Sequence, residues 1–358
     1  MNKDKTIFIA IAAYNEVDVV STIENCLENA TYPDRLHFGL ALHYSEMDRP
    51  VIYFNNTKTV DIAYGGLWGV CPARNLALNL YDNEDFYLQL DGHMKFDKDW
   101  DSYLINVFYQ AQEAGHKKPL FTGYVPWWVD DENGEIQNYE PINDTDCGQM
   151  YYSEDVKRVI PQQGTRHVDW SGLGVEFIEH FGFSAHFVFA DAQFIYDVPP
   201  DPAYMFYGEE PTTALRAWTR GYSLLMQKKA TVWHKNKMPD SGNLHSRDRM
   251  LYAGYNTELA EHHVRKARLG EKKAQTVLTG SLLGMWGAPT FKLYLEYVKA
   301  CGFDFNKFYA KTMEYELNNV DNNNNLGYNQ ELIKKQKHKE LKEFEAQEAR
   351  NAQSNNAR

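Results

Sequence analysis

The segment that most constrains the fold is a continuous apolar run near the N-terminus, Ile7-Phe8-Ile9-Ala10-Ile11-Ala12. An unbroken run rich in β-branched residues is typical of a strand that is buried on both faces, as in a parallel sheet. Apolar residues at helical spacing follow over Val17–Asn29, and a second apolar run follows at His37–His43. The order strand, helix, strand predicts a doubly wound α/β domain.

A third strand, predicted at Asp85–Leu90, ends at the motif Asp91-Gly92-His93. Ligands of open α/β sheets bind beyond the carboxyl ends of the strands, so Asp91 and His93 lie where a site is expected. If the chain stays extended, both side chains project to the same side and offer one oxygen and one nitrogen to a metal ion. An ordinary polar turn is the alternative explanation of so short a motif.

His234 is a candidate third ligand, because it follows another apolar run, Ala230–Trp233. Two imidazoles and one carboxylate would leave coordination positions for phosphate oxygens and water. A solvated loop histidine among lysines is the alternative. Arg74, in the segment Cys71–Asn75, could pair with a phosphate or fix Asp91, and a surface salt bridge is its competing explanation.

Two adjacent carboxylates, Glu209 and Glu210, lie where a loop meets a helix predicted at Glu210–Thr219. One of them could accept a hydrogen bond from a substrate hydroxyl and position it for reaction, and the position favours Glu209 as the more available. Acidic residues in a first helical turn also interact favourably with the helix dipole, which is the structural alternative.

Charge and cysteine content limit the functional classes. The formal net charge of -12 opposes non-specific binding to nucleic acid or anionic lipid. A local basic face beside His234 could still be formed by Lys228-Lys229, Lys235–Lys237, Arg247–Arg249 and Arg265–Arg268. The four cysteines are widely spaced without a CxxC pair, which indicates reduced thiols. Without a signal-peptide pattern or an apolar stretch of roughly 20 residues, a cytoplasmic protein without membrane association is expected.

Several segments keep their order over roughly residues 6–305 and together carry a resemblance: Ile7–Glu16, Ala73–Leu76, Tyr87–Phe96, Trp100-Asp101, Phe187–Ala190, Val198–Pro202, Gly208–Glu210, Arg216–Tyr222 and Val232–His234. They resemble the GlcNAc-transferases related to the cytoplasmic enzyme that glycosylates hydroxyproline on the ubiquitin-ligase adaptor Skp1. More distantly, they are similar to the mucin-type polypeptide GalNAc-transferases.

This resemblance implies a GT-A fold, with a mixed central sheet flanked by helices and a helical C-terminal extension. It implies a retaining glycosyltransferase with a nucleotide-sugar donor, most simply a UDP-sugar. The residues implied to bind the donor are Ala12, Tyr14, Asn15, Arg74 and Asp91. The residues implied to hold a Mn²⁺ or Mg²⁺ ion are Asp91, His93 and His234. Glu209 or Glu210 would then position the acceptor hydroxyl or the sugar.

The resemblance leaves the substrates open. Asn15 and Glu16 follow Tyr14 where the family is expected to have an arginine and an aspartate, so the contacts to the base or ribose are open. The acceptor hydroxyl could belong to a protein or a glycan, or to a hydroxymethylated base of DNA in a viral modification system. A non-catalytic sugar-nucleotide-binding protein is the alternative from another class.

The predicted domain organisation divides the chain into three parts. A catalytic domain is expected over residues 1–240, with a nucleotide-sugar half at about 1–100 and an acceptor half at about 120–240. A helical extension follows over 241–315, and a charged tail of low aliphatic content follows over 316–358.

Overall fold

A computed structural model describes residues 4–44, 47–63, 69–130, 136–137, 148–156, 159–235 and 257–318. The strands are β1 (Ile7–Tyr14), β2 (Leu36–His43), β3 (Thr57–Asp61), β4 (Phe86–Leu90), β5 (Met94–Phe96), β6 (Lys118–Thr122), β7 (Trp127–Asp130), β8 (Ile136–Gln137), β9 (Gln149–Tyr152), β10 (Gln163–Arg166), β11 (Phe177–Glu179), β12 (Phe187–Asp191), β13 (Tyr222–Gln227) and β14 (Val232–Lys235). The helices are α1 (Val19–Asn29), α2 (Val70–Leu78), α3 (Trp100–Glu113), α4 (Phe194–Asp197), α5 (Glu209–Trp218), α6 (Thr257–Leu278), α7 (Phe291–Cys301) and α8 (Phe305–Asn318).

The central sheet is mixed, as predicted. In the described part of the chain it has eight strands in the order β11-β13-β6-β12-β4-β1-β2-β3. β1 is parallel to both β2 and β4, and β3 continues the parallel half beside β2. β12 runs antiparallel to β4 and to β6, which makes the other half mixed.

Both faces of β1 are covered, which explains its unbroken apolar sequence. Ile7, Ile9 and Ile11 pack in one core cluster with residues of α1 and α3, whereas Phe8 and Ala10 pack in a second cluster with residues of α2. Because successive side chains of a strand point to opposite faces, a strand with helices on both sides has to be apolar at every position.

A second, smaller sheet in the order β5-β14-β7-β8 lies beyond the end of β4. β14 is antiparallel to β5 and parallel to β7, and His234 of β14 is in register with Met94 of β5. Because only Asp91, Gly92 and His93 separate β4 from β5, these residues lie between the two sheets. The arrangement brings His234 to the Asp91-Gly92-His93 motif.

Two parts of the sequence-based assignment differ from the structure. The mostly apolar segment Ala192–Tyr196 predicts a strand from the sequence alone. This prediction is wrong, because the segment turns into α4 after β12 ends at Asp191. Phe194 and Ile195 are both buried, which suits consecutive positions of a helical turn better than an alternating strand. No element was predicted for α3 or for β13, although both contribute to the core.

The C-terminal helices pack on the central sheet through α5. Leu215 of α5 shares a buried cluster with Val277 of α6, Tyr297 of α7 and Phe308 of α8. Within the predicted helical extension, the sequence Arg247–Gly270 has the pattern of an amphipathic helix and corresponds in part to α6. Residues 247–256 lie outside the described residues, as does the tail from 319 onwards. The three domain limits therefore stay predictions. No described helix has the length and apolar character to cross a membrane.

Candidate metal centre

Three side chains with metal-binding atoms meet at the junction of the two sheets. Asp91 follows the last residue of β4, His93 precedes β5, and His234 lies on β14. One potential ligand atom from each of the three lies within 4.8 Å of the others. The structure thus brings together the three residues that the sequence analysis proposed as ligands.

The interatomic distances suit a shared ion. The Nε2 atoms of His93 and His234 are 2.9 Å apart, and Oδ2 of Asp91 lies 3.5 Å from Nε2 of His234. Two atoms bonded to one ion at about 2.1 Å are about 3.0 Å apart at a right angle and about 3.4 Å apart at a tetrahedral angle. Two imidazole nitrogens in the donor set disfavour Mg²⁺, which prefers oxygen ligands, and are compatible with a divalent transition-metal ion.

The loop that carries Asp91 and His93 is fixed by α1. The hydroxyl group of Thr22 donates a hydrogen bond to the carbonyl of Gly92 at 2.9 Å and accepts one from the backbone N–H of Met94 at 3.0 Å. Thr22 is 1 % exposed, so these bonds are shielded from water. The two candidate ligands therefore project from a constrained backbone.

The carboxyl group of Asp91 is surrounded by groups that stabilise its charged form. Burial by itself would raise the pKa of Asp91, but the hydrogen bond with His234 and the neighbouring His93 and Arg74 hold that pKa well below its usual range. Nη2 of Arg74 lies 3.6 Å from Oδ1 of Asp91. Arg74 therefore neighbours the candidate ligand, one of the two roles considered for it.

Arg74 also binds Glu209 in a buried ion pair. Its Nη1 lies 2.6 Å and 2.7 Å from the two carboxylate oxygens of Glu209, and the thiol of Cys71 donates to Oε2 at 2.6 Å. Burial and the neighbouring carboxylate of Glu209 raise the pKa of the Cys71 thiol, which stays protonated and can donate. A chain of contacts therefore runs from Cys71 and Glu209 through Arg74 to Asp91.

The two acidic residues of α5 have different environments. Glu209 is 8 % exposed and engaged by Arg74 and Cys71, so it is not the more available of the two. Glu210 is half-buried and accepts a hydrogen bond from the backbone N–H of Ala185 at 2.9 Å. Burial raises the pKa of Glu210 to about 7.

His186 is a neighbour of the site that the sequence analysis did not single out. Its ring centroid lies 4.8 Å from that of His234, and its ring stacks on Tyr124. Nε2 accepts from the backbone N–H of Val125 at 3.3 Å, and Nδ1 lies 2.9 Å from Oγ of Ser184. Burial and the nearby His234 lower the pKa of His186 to about 3. Both ring nitrogens of His186 contact residues outside the ligand set, whereas Nε2 of His93 faces His234, so His186 packs beside the ligands rather than joining them.

The segment implied to bind the donor lies at the carboxyl end of β1. Ile11 is in register with Leu90, which places Ala12 and Tyr14 next to the Asp91 end of β4. The ring of Tyr14 lies 4.7 Å from that of His43 at the end of β2. Asn15 then turns the chain with a left-handed φ of 46°. These residues border the metal centre, which agrees with the location of ligand sites in such sheets.

From the sequence alone, six aromatic residues could stack on a sugar ring or a base, or belong to the core: Tyr124, Trp127, Trp128, Trp170, Phe187 and Phe189. Most of them belong to the core. Trp128 and Trp170 are buried in one cluster, and Phe187 and Phe189 are buried in the central sheet. Trp127 differs, because it is 52 % exposed and its Cα is in register with that of His234. It is therefore an exposed aromatic side chain on the strand next to a candidate ligand.

Two of the lysines considered for a basic face, Lys229 and Lys235, are paired with carboxylates. Nζ of Lys229 lies 2.6 Å from Oδ2 of Asp97, and Nζ of Lys235 lies 3.0 Å from Oδ2 of Asp18. Residues 236–256, with the other basic residues nearest His234, lie outside the described part of the chain. The described pairs do not favour a nucleic-acid surface.

Comparison with protein families identifies the chain. The sequence model of the family described as Glycosyltransferase (GlcNAc) matches residues 6–67 and 53–320, and so most of the chain. This protein belongs to that glycosyltransferase family. The family membership confirms the prediction that the chain is a glycosyltransferase. No match is found among curated proteins.

Solved structures similar to this glycosyltransferase include GalNAc-T7 with UDP, GalNAc and Mn²⁺. That likeness has a TM-score of 0.51 at 13 % identity and covers 88 % of this chain and 58 % of GalNAc-T7. A structure of Staphylococcus aureus TarS residues 1–349 with UDP-GlcNAc matches with a TM-score of 0.40 at 11 % identity, over 96 % of this chain and 92 % of that one. The likeness to GalNAc-T7 confirms the predicted GT-A fold. The chain spans less than two thirds of GalNAc-T7.

Proposed function

We propose that this glycosyltransferase is metal-dependent and transfers a sugar from a UDP-sugar to an acceptor hydroxyl with retention of the anomeric configuration. The observation that carries the proposal is the convergence of Asp91, His93 and His234 at the carboxyl edge of the sheet. The bound UDP and Mn²⁺ of GalNAc-T7, a protein of the same fold, support a similar use of the site.

Each residue of the site has a role in this proposal. A Mn²⁺ ion held by Asp91, His93 and His234 would supply positive charge to the leaving diphosphate, which then needs no proton from an acid. Arg74, together with the two histidines, lowers the pKa of Asp91, and it also binds Glu209. Ala12, Tyr14 and Asn15 border the space for the nucleoside.

The acidic residues of α5 would act on the sugar and the acceptor. Glu209 is held by Arg74 in one orientation, and a hydrogen-bond acceptor fixed in this way can align a sugar hydroxyl without a large entropic cost. Glu210, with a pKa of about 7, is suited to exchange or share a proton with a hydroxyl group near neutral pH.

The acceptor that we propose is a hydroxyl group of a protein or a glycan. The Skp1-type acceptor and the cytoplasmic location stay predictions from the sequence. Transfer to hydroxymethylated DNA has less support, since Lys229 and Lys235 are paired with carboxylates.

The test measures UDP release from UDP-GlcNAc and UDP-GalNAc, with Mn²⁺ or with a chelator, against protein, glycan and hydroxymethylated DNA acceptors. Asp91→Asn should lower the Mn²⁺-dependent rate by at least about 100-fold, since loss of a residue that only supports a metal ligand already costs roughly 10- to 100-fold. The matched control is Asp82→Asn, whose carboxylate is exposed and paired with Lys58. The anomeric configuration of the product is read by NMR.

Different results would contradict different parts of the proposal. Full activity of Asp91→Asn, or activity that persists in chelator, would contradict metal dependence. An inverted product would contradict retention alone. Binding of UDP-sugars without turnover on any of these acceptors would favour the non-catalytic alternative.

A further inference from the structure

A buried carboxylate outside the ligand set contacts the metal centre from the donor-binding segment. Glu16 is 7 % exposed, and its Oε2 lies 2.6 Å from Nδ1 of His93. The other ring nitrogen of His93, Nε2, faces His234. To bind an ion through Nε2, the imidazole has to carry its proton on Nδ1, and a carboxylate at Nδ1 stabilises that tautomer.

We propose that Glu16 is a positioning residue that fixes the tautomer and the ring orientation of His93. Through Glu16, metal affinity becomes coupled to the conformation of the segment Tyr14-Asn15-Glu16, which borders the nucleoside site. This inference rests on the proposed function, because it concerns the ion held by Asp91, His93 and His234.

The main chain of Glu16 is itself anchored to the end of β2. The hydroxyl group of Tyr44 donates to the carbonyl of Glu16 at 2.7 Å and accepts from its backbone N–H at 3.2 Å. The backbone N–H of Asn15 donates to the carbonyl of His43 at 3.1 Å. The backbone that carries Glu16 is therefore held in a fixed position beside His93.

Gly92 provides an independent argument for the importance of the Glu16 contact. A Cβ atom built on Gly92 would lie 2.8 Å from Cγ of Glu16, which is closer than such atoms approach. The side chain of Glu16 therefore lies across the middle residue of Asp91-Gly92-His93. A larger residue at position 92 would require the Glu16 side chain to shift away from its contact with His93.

The test measures Mn²⁺ affinity by the electron paramagnetic resonance signal of free Mn²⁺, with and without UDP. Glu16→Gln should weaken Mn²⁺ binding by roughly 10- to 100-fold, because a neutral amide holds the Nδ1–H tautomer less strongly. Glu16→Asp, which keeps the charge, should recover part of this loss. Glu24→Gln is the matched control, since Glu24 lies on α1 and pairs with Tyr53. Thermal unfolding of the metal-free variants checks the fold.

A second set of variants tests the same contact from the other side. Gly92→Ala should weaken Mn²⁺ binding by displacing Glu16, but it should add little loss in a Glu16→Ala background, where no long side chain is left to displace. Purely local damage to the loop would instead give the same loss in both backgrounds, which would contradict the coupling.

The outcomes separate this inference from the proposed function. If the wild-type protein binds Mn²⁺ and Glu16→Gln binds it equally well, the positioning role is overturned and the metal centre stands. If the wild-type protein with UDP binds no Mn²⁺, the metal centre and the positioning role fall together. A weaker affinity of Glu16→Gln, with Glu24→Gln unchanged, supports the inference.

Discussion

Replacement of Arg74 by methionine should destabilise the protein by about 3–5 kcal/mol, the usual result of removing one partner of a buried ion pair. The side chains of Arg74 and Glu209 are only 9 % and 11 % exposed, and Nη1 contacts both carboxylate oxygens. Methionine fills a similar volume without the charge, so the carboxylate of Glu209 is left buried and without its cation. Asp91 contributes less to the loss, since it is 32 % exposed and lies 3.6 Å away.

The double variant Arg74→Met/Glu209→Gln isolates the cause. Glu209→Gln removes the charge that Arg74→Met leaves unpaired, so the double variant should be at least about 2 kcal/mol more stable than the sum of the two single losses predicts. Arg49→Met is the control, because its salt bridge with Asp61 is exposed and should contribute less than about 1 kcal/mol.

The assay is urea unfolding at pH 7 followed by tryptophan fluorescence, with the free energy of unfolding obtained from the midpoint and the slope. The reasoning would be refuted by a loss below about 1 kcal/mol for Arg74→Met, the range of an exposed ion pair. Strictly additive losses in the double variant would refute it equally.

Two further predictions concern Glu210 and Gly39. Because burial raises the pKa of Glu210 from 4.5 to about 7, the folded protein binds a proton more tightly than the unfolded chain, and wild-type stability should fall as the pH rises from about 4.5 to 7. Glu210→Gln should remove this pH dependence, and the variant should be more stable than the wild-type protein by up to about 3 kcal/mol at pH 8. Urea titrations that give the variant and the wild-type protein the same dependence of stability on pH would contradict this. Gly39→Ala should lower the melting temperature by overpacking, since a Cβ there would lie 2.4 Å from the ring of Phe8 and the usual cost is about 1–3 kcal/mol. An unchanged melting temperature would show that the ring can move aside.

The elements that the sequence predicted correctly are those with a local signal. The apolar run of β1 and the helical spacing of α1 are visible within a window of about ten residues, and each fixes its own burial pattern. The strand predicted at Ala192–Tyr196 failed for the same reason, because a short apolar run has no period that separates a strand from a buried helical turn.

Asp91 and His93 could be predicted as a pair because both lie in one short motif at the end of a strand. Glu16 could not be assigned its contact, since it is separated from His93 by 77 residues and nothing in its spacing indicates that distance in space. The same holds for the pairing of Arg74 with Glu209, which are 135 residues apart.

The sequence by itself determined the layered α/β architecture and the candidate ligands, because hydrophobic periodicity and the end of a strand are local properties. Only the tertiary structure decided which carboxylate supports which partner: Glu16 orients His93, and Glu209 is held by Arg74. The physical reason is that a charged group stabilises another group, or selects a histidine tautomer, only over a few ångströms. These residues come that close only when the turn after β1, α2 and α5 pack at one edge of the sheet.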